Sequence, residues 1–148
     1  MDERDISVFV DSVTHYFNHL GSERAEVQAP YLVERDELVL YDYTGIIGIS
    51  GNRRGNIYFT APKPMINYLL VSQGEPQLTH EHCSDMVGEI ANTLSGNARR
   101  ELGNEFMISV PMVMHGKPDQ LMMARRSRSF VIPIKWRMYL AALVVSLE

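Results

Sequence analysis

Two polar side chains of the segment GEIANTLSGN, residues 88–97, have the types and the spacing of a reactive pair. Glu89 and Asn92 lie three residues apart, so on a helix both project from the same side. A carboxylate can act as a general base or bind a cation, whereas a carboxamide stays uncharged and can hold a water molecule in place. The sequence therefore predicts an exposed helical face that carries a carboxylate and an amide.

Two glycines in the same segment indicate that this face serves something other than helix stability. In a helix, Gly88 and Gly96 each cost about 0.5–1 kcal/mol relative to alanine. A bare backbone beside the amide would let another molecule approach the helix closely. The alternative is that the carboxylate and the amide are merely solvated. At about 100° of rotation per residue, one polar arc contains Asp85, Glu89, Asn92 and Gly96, flanked by Gly88, Arg99 and Arg100.

The rest of the sequence lacks the parts of a self-contained active site. It has no nucleophile beside a base, no glycine-rich phosphate loop before a helix and no set of metal ligands at useful spacing. His80 and His82 lie two residues apart and point away from each other on a helix. His15 and His19 lie four apart, a better spacing for an ion, but no third ligand is in view. We therefore assign no metal, and we expect half of a site that a partner completes.

The composition is typical of a soluble globular protein and argues against several classes of protein. The chain has 148 residues, 45% of them hydrophobic, and a formal net charge of −4, which suits one domain and disfavours a nucleic-acid binder. No apolar run reaches the roughly 20 residues that cross a membrane, and the start MDERDISVFV does not resemble a signal peptide. The lone cysteine, Cys83, allows no internal disulfide, which favours the cytoplasm.

Apolar spacing and turn residues predict the same order of elements in both halves of the chain. Apolar residues at helical spacing predict two long helices, over residues 5–20 and 79–103. An extended segment that contains a proline follows each helix, and two further strands then form a hairpin. The fold class is therefore α+β, a two-layer sandwich in which a largely antiparallel sheet of about six strands is packed by two long helices.

The match between the halves extends to particular positions. Shifting residues 9–17 by 77 positions lays apolar residues of the first long helix on apolar residues of the second, and a shift of 81 brings Pro30 onto Pro111. The alternative is that any two amphipathic helices agree in phase. We predict that the whole chain, residues 1–148, is one domain of tandem α-β-(X)-β-β repeats. The pseudo-repeats would span about 1–76 and 77–148.

The polar arc resembles the motif of the CheC/CheX/FliY family of chemotaxis phosphatases. That motif is an Asp or Ser, three residues, a Glu, two residues and an Asn on a helix, with a proline downstream. Here Asp85, Glu89 and Asn92 stand within DMVGEIANTLSGNARREL, and Pro111 is the nearest downstream proline. The family fold is similar to the tandem arrangement predicted above, so the resemblance covers nearly the whole chain.

The resemblance implies a hydrolase of two-component signalling that removes phosphate from an aspartyl-phosphate on a CheY-like response regulator. Asn92 would position the attacking water, and Glu89 would pair with a lysine of the regulator. The chain would need no cofactor of its own, because Mg²⁺ is expected on the regulator. Contacts with the regulator are expected from Asp85, Gly88, Gly96, Arg99 and Arg100.

The first long helix is expected to lack a second site. Under the shift of 77, the positions of Glu89, Asn92 and Gly96 map to Ser12, His15 and His19. One site per chain resembles the CheX branch, which implies a homodimer, and strands that are apolar on both faces leave room for that contact. Two alternatives stay open, namely a non-catalytic adaptor that binds a receiver domain and a structural signalling subunit.

Overall fold

Three helices lie against one face of a single sheet. The computed structural model describes residues 2–20, 25–34, 39–116 and 128–147. No helix within these ranges combines the length and the apolar character needed to span a membrane. In chain order the elements are α1 (Glu3–Asn18), β1 (Ala25–Val27), β2 (Tyr31–Glu34), β3 (Tyr43–Gly51), β4 (Gly55–Ala61), α2 (Lys63–Ser72), α3 (His80–Leu102), β5 (Phe106–Ile108), β6 (Met112–His115), β7 (Arg128–Trp136) and β8 (Tyr139–Leu147).

The two halves of the chain interleave their strands. The order across the sheet is β1-β7-β8-β4-β3-β5, while β2 also pairs with β7 and β6 also pairs with β3. All of these pairings are antiparallel. Each half therefore supplies edge strands to the other half, and β4 meets β8 in the middle. The α+β fold class with its tandem order of elements is confirmed, and the boundary near residue 76 stays a prediction.

Proline divides both edges of the sheet, which is why the sheet has eight strands where about six were expected. Pro30 lies between β1 and β2, and Pro111 lies between β5 and β6; a proline has no N–H to donate to a neighbouring strand. Ser109 lies in the segment between β5 and β6 and keeps that segment hydrogen-bonded to β3. Its N–H donates to the Gly48 carbonyl at 2.9 Å, and its hydroxyl oxygen accepts from the Gly48 N–H at 2.8 Å.

The main core lies between the sheet and the helices. Burial of these apolar side chains is the principal driving force for packing the two layers together. Its largest fully buried members include Phe9 and Phe17 of α1, Ile90 and Leu94 of α3, and Ile47, Phe59 and Phe106 of the sheet.

A second, smaller cluster covers the opposite face of the sheet. The sequence predicted strands that are apolar on both faces, and the structure agrees for these positions. Because the side chains are already buried within one chain, a dimer contact would have to use other residues. The homodimer stays a prediction. The buried members of this cluster are Val33, Tyr58, Val131, Ala142 and Val144.

Helix α1 is anchored at its start and along its length. The carboxylates of Asp2 and Asp5 each accept the backbone N–H of the other residue, which forms a capping box. Arg53, in the turn between β3 and β4, forms an ion pair with Asp5 at 2.7 Å. Further along, the Ser12 hydroxyl donates to the backbone carbonyl of Leu94 in α3 at 2.7 Å. These contacts fix α1 against both α3 and the sheet.

Candidate active site on helix α3

Helix α3 carries every residue of the predicted site. It begins after Thr79, whose hydroxyl accepts the backbone N–H of His82 at 3.1 Å. It ends at Gly103, which has a φ of 100° and donates its N–H to the Arg99 carbonyl. A buried apolar stripe runs along the helix, at Val87, Ile90, Ala91, Leu94 and Ala98.

The three polar residues of the motif lie on the exposed side of α3. Asp85, Glu89 and Asn92 are all exposed, as their helical phase predicts. Within the described ranges, the side chains of Glu89 and Asn92 make no hydrogen bond or ion pair with another residue of the chain. The carboxylate and the amide are therefore both open to a second molecule.

The two glycines of α3 have different physical surroundings. A Cβ at Gly96 would meet no atom within 4 Å, so the helix backbone is bare there and the space beside it is open. Gly88 is buried, and a Cβ there would lie 3.0 Å from Val113 Cγ2 and 3.7 Å from Pro111 Cγ. Packing within the chain therefore explains the glycine at position 88. Its predicted contact with a partner stays a prediction.

A third glycine lets α3 approach the sheet. A Cβ at Gly45 in β3 would lie 2.8 Å from the Val87 carbonyl oxygen and 3.0 Å from the Cβ of Ala91. A glycine inside a strand often marks such a close approach, and this signal was available in the sequence but was not used. Gly45 sets the distance between the sheet and the helix that carries the site.

The two arginines near the end of α3 differ in their contacts. The Arg99 guanidinium donates through Nε to the Phe106 carbonyl at 2.8 Å and through an Nη atom to the Asn104 carbonyl at 3.2 Å. It therefore fixes the turn from α3 into β5. Arg100 is exposed. The partner contacts predicted for Arg99 and Arg100 stay predictions, but the structure gives Arg99 a role within the chain.

Tyr16 of α1 flanks the polar face on one side, and sequence analysis missed it. Burial raises the pKa of its phenol, because the phenolate would lose hydration, and the negative charge of Glu89 raises it further. The hydroxyl of Tyr16 therefore stays protonated beside the carboxylate. No local pattern in the sequence signals this proximity, because it depends on how α1 packs against α3.

Apolar side chains border the polar face on the other side. Pro111 contacts the helix at Gly88, one residue before Glu89. Next to it in the chain, Val110 is 85% exposed. Exposed apolar groups beside unengaged polar ones are typical of protein-binding surfaces. The face built on α3 is therefore suited to contact with another protein.

One family model matches a large part of the chain. The family model described as "Chemotaxis phosphatase CheX" matches residues 43–135, which is more than half of the chain. The chain belongs to the CheX family. The matched segment includes Asp85, Glu89, Asn92 and Pro111, on which the resemblance was first noted. A comparison of the sequence with curated proteins found no match.

Solved structures extend the structural similarity over the full chain. A chemotactic CheC-like protein from Shewanella oneidensis MR-1 is 25% identical, with a TM-score of 0.85 and complete coverage of both chains. Chemotaxis protein CheX from Vibrio vulnificus is 26% identical, with a TM-score of 0.78 over 98% of this chain and 99% of that one. A CheX–CheY–BeF₃–Mg²⁺ complex from Borrelia burgdorferi shares the fold at 18% identity, with a TM-score of 0.77 and 97% coverage of each chain.

Proposed function

We propose that this protein is a hydrolase that removes the phosphoryl group from an aspartyl-phosphate on a CheY-like response regulator in the cytoplasm. The observation that carries the proposal is the pair Glu89 and Asn92, exposed and unengaged on α3, beside open space at Gly96. Membership of the CheX family supports this assignment, as does the presence of CheY in the Borrelia burgdorferi complex.

The chemistry requires water to attack phosphorus in line with the bond to the aspartate oxygen. As the new P–O bond forms, the acyl P–O bond breaks, aspartate leaves as a carboxylate and the water's protons pass to phosphate and solvent. The Asn92 amide cannot take up a proton at neutral pH, but its oxygen can accept a hydrogen bond from the water and hold it in line. Orientation of this kind is worth on the order of 10²-fold in rate.

Glu89 supplies the docking charge in this proposal. An exposed carboxylate can form a charge-assisted hydrogen bond with a lysine of the regulator. The exposed apolar side chain of Val110 would add contact area beside it. Any Mg²⁺ would be held by the regulator and would neutralise phosphoryl charge there. Asp85, Gly96 and Arg100 complete the contact surface that we propose on α3.

The decisive experiment measures phosphate release from a phosphorylated CheY-like receiver domain. The wild-type protein is expected to accelerate release, and Asn92→Ala is expected to reduce the acceleration by on the order of 10²-fold. Asn97→Ala is the matched control, since Asn97 has the same side chain in the same helix but lies on another side. It is expected to keep the wild-type rate.

Other outcomes would assign a different function. A wild-type protein that binds the phosphorylated receiver without accelerating release would be an adaptor. A protein in which neither Asn92→Ala nor Glu89→Gln affects binding or release would be a structural subunit of the signalling assembly. Equal losses in Asn92→Ala and Asn97→Ala would show that the effect comes from the fold of α3 and not from the amide.

A further inference from the structure

His15 and His19 form an exposed pair at the C-terminal end of α1. They lie four positions apart in the sequence, so both rings project from the same side of the helix. Both are exposed, and their ring centroids lie 4.2 Å apart. They occupy the positions that correspond to Asn92 and Gly96 in α3, and the proposed function does not use them.

A hydrogen bond fixes the orientation of the His19 ring. Its Nδ1 lies 2.7 Å from the backbone carbonyl oxygen of His15. Because a carbonyl only accepts, Nδ1 carries the proton and the Nε2 of the neutral ring keeps a free lone pair. Histidines that bind metals in proteins usually donate their other ring N–H to just such an acceptor. The hydrogen bond therefore leaves the Nε2 of His19 available to a metal ion.

The electrostatic setting of this pair also favours a cation. Helix α1 ends at Asn18 with His19 as its C-cap, and the final carbonyls of a helix carry partial negative charge. The structure contains a second close pair, His80 and His115, with ring centroids 4.7 Å apart. His80 is the first residue of α3, and the N-terminal end of a helix disfavours a cation.

We propose that His15 and His19 bind one divalent transition-metal ion, Zn²⁺ or Ni²⁺, through two imidazole nitrogens. Imidazole is a preferred ligand of these ions. In the described ranges, no group of three or more His, Cys, Asp or Glu side chains could hold a metal ion. Water would therefore complete the coordination shell. The site is an exchangeable chelate at the surface, unlike a structural zinc centre with four protein ligands.

The test is a calorimetric titration of the full-length protein with ZnCl₂ or NiCl₂ in a buffer that does not bind metals. The wild-type protein is expected to bind one equivalent at this site. His15→Gln and His19→Gln are each expected to weaken binding by at least about tenfold, because loss of either ring removes the advantage of two linked ligands. The ion should also raise the Tm of the wild-type protein, but not the Tm of the double variant His15→Gln/His19→Gln.

The control is the variant His80→Gln/His115→Gln, which removes the other close pair and is expected to bind the ion as the wild type does. Equal affinities of the wild type and His15→Gln/His19→Gln would overturn the proposal. A loss of metal binding in His80→Gln/His115→Gln would also overturn the proposal. Asn92-dependent phosphate release is expected to be unchanged in His15→Gln/His19→Gln, so the two proposals fail or survive separately.

Discussion

Helices α1 and α3 occupy corresponding places in the two halves, yet only α3 presents an acid–amide pair. Ser12 corresponds to Glu89, but Ser12 is buried and donates to the Leu94 carbonyl, whereas Glu89 is exposed. The same position of the repeated helix therefore faces the neighbouring helix in one half and solvent in the other. Helix α1 therefore supports α3, and α3 carries the exposed acid–amide pair.

The difference continues along the two exposed faces. His15 and His19 place two rings in contact where α3 has an amide and then a bare backbone. Two imidazole rings leave less clearance for an approaching main chain than the bare backbone at Gly96 does. We therefore expect only the α3 face to enter the active site of a second protein.

Exchanging residues between the two helices should give the largest effect. Asn92→His puts the α1 residue into α3, and it is expected to reduce phosphate release by on the order of 10²-fold, because imidazole does not place its polar atoms where the amide does. His15→Asn puts the amide into α1, and it is expected to add no activity. Phosphate release from a phosphorylated receiver domain measures both. A gain in rate from His15→Asn would show that the α1 face can also act on the receiver domain.

Removing the hydrogen bond between the helices should affect stability and leave chemistry intact. Ser12→Ala loses the donor to the Leu94 carbonyl, and it is expected to lower the free energy of unfolding by about 1 kcal/mol. Ser7→Ala is the matched control, since Ser7 is an exposed serine in the same helix. Urea unfolding of both variants measures the difference. An unchanged midpoint for Ser12→Ala would show that α1 does not depend on this contact.

The two glycines of α3 should respond differently to replacement by alanine. Gly96→Ala adds a methyl group in open space, so it is expected to raise the free energy of unfolding by about 0.5–1 kcal/mol while slowing phosphate release. Gly88→Ala places its methyl group 3.0 Å from Val113 Cγ2, so it is expected to stabilise the protein less. Unfolding and release measured on the same samples test both statements. Faster release by Gly96→Ala would contradict the clearance that we propose.

Acid should loosen α1 before α3, which is the smallest effect. The Asp2 carboxylate caps α1, and the hydrogen bond from the Asp5 N–H lowers its pKa below the ordinary 3.8. A lowered pKa in the folded state means that the cap stabilises α1 above pH 3.8 and is lost as the pH falls through the lower, folded value. Thr79 caps α3 with a hydroxyl that does not titrate.

NMR shifts of the Asp5 and His82 amides between about pH 5 and pH 2 measure this difference. The Asp5 amide is expected to shift with pH, and Asp2→Asn is expected to suppress that shift. A matching transition at the His82 amide over the same range would show that both helix starts respond to one global event.

Much of the fold could be predicted because it depends on local patterns. Apolar spacing predicted the positions of α1 and α3, and turn residues predicted the hairpin of β3 and β4. The exchange of edge strands between the halves could not be predicted, because hydrogen bonding between distant strands leaves no local signal. The sequence predicted an extended segment that contains a proline after each long helix, but not that the proline divides the segment into two strands.

The candidate site shows the same division between local and distant information. The exposure of Glu89 and Asn92 follows from helical phase alone, so the sequence predicted it correctly. The surroundings of Gly88 depend on Pro111 and Val113, and those of Arg99 depend on two carbonyls at the start of β5 and in the turn before it. The sheet brings all of these groups into place. The proximity of Tyr16 to Glu89 depends on the packing of α1 and was missed for the same reason.

The interleaved sheet has a consequence for how this chain is made. Helix α3 rests on β3, but β3 obtains its outer neighbours, β5 and β6, only after α3 has been synthesised. At the other edge, β2 pairs with β7, so Tyr31 can pair only after Val131, 100 positions later in the chain, has been synthesised. Contacts so distant in sequence slow folding, and unpaired edges meanwhile invite aggregation. A nascent or truncated chain that lacks β7 and β8 therefore has an incomplete sheet beneath α3. We expect such a chain to need protection from aggregation until translation is complete.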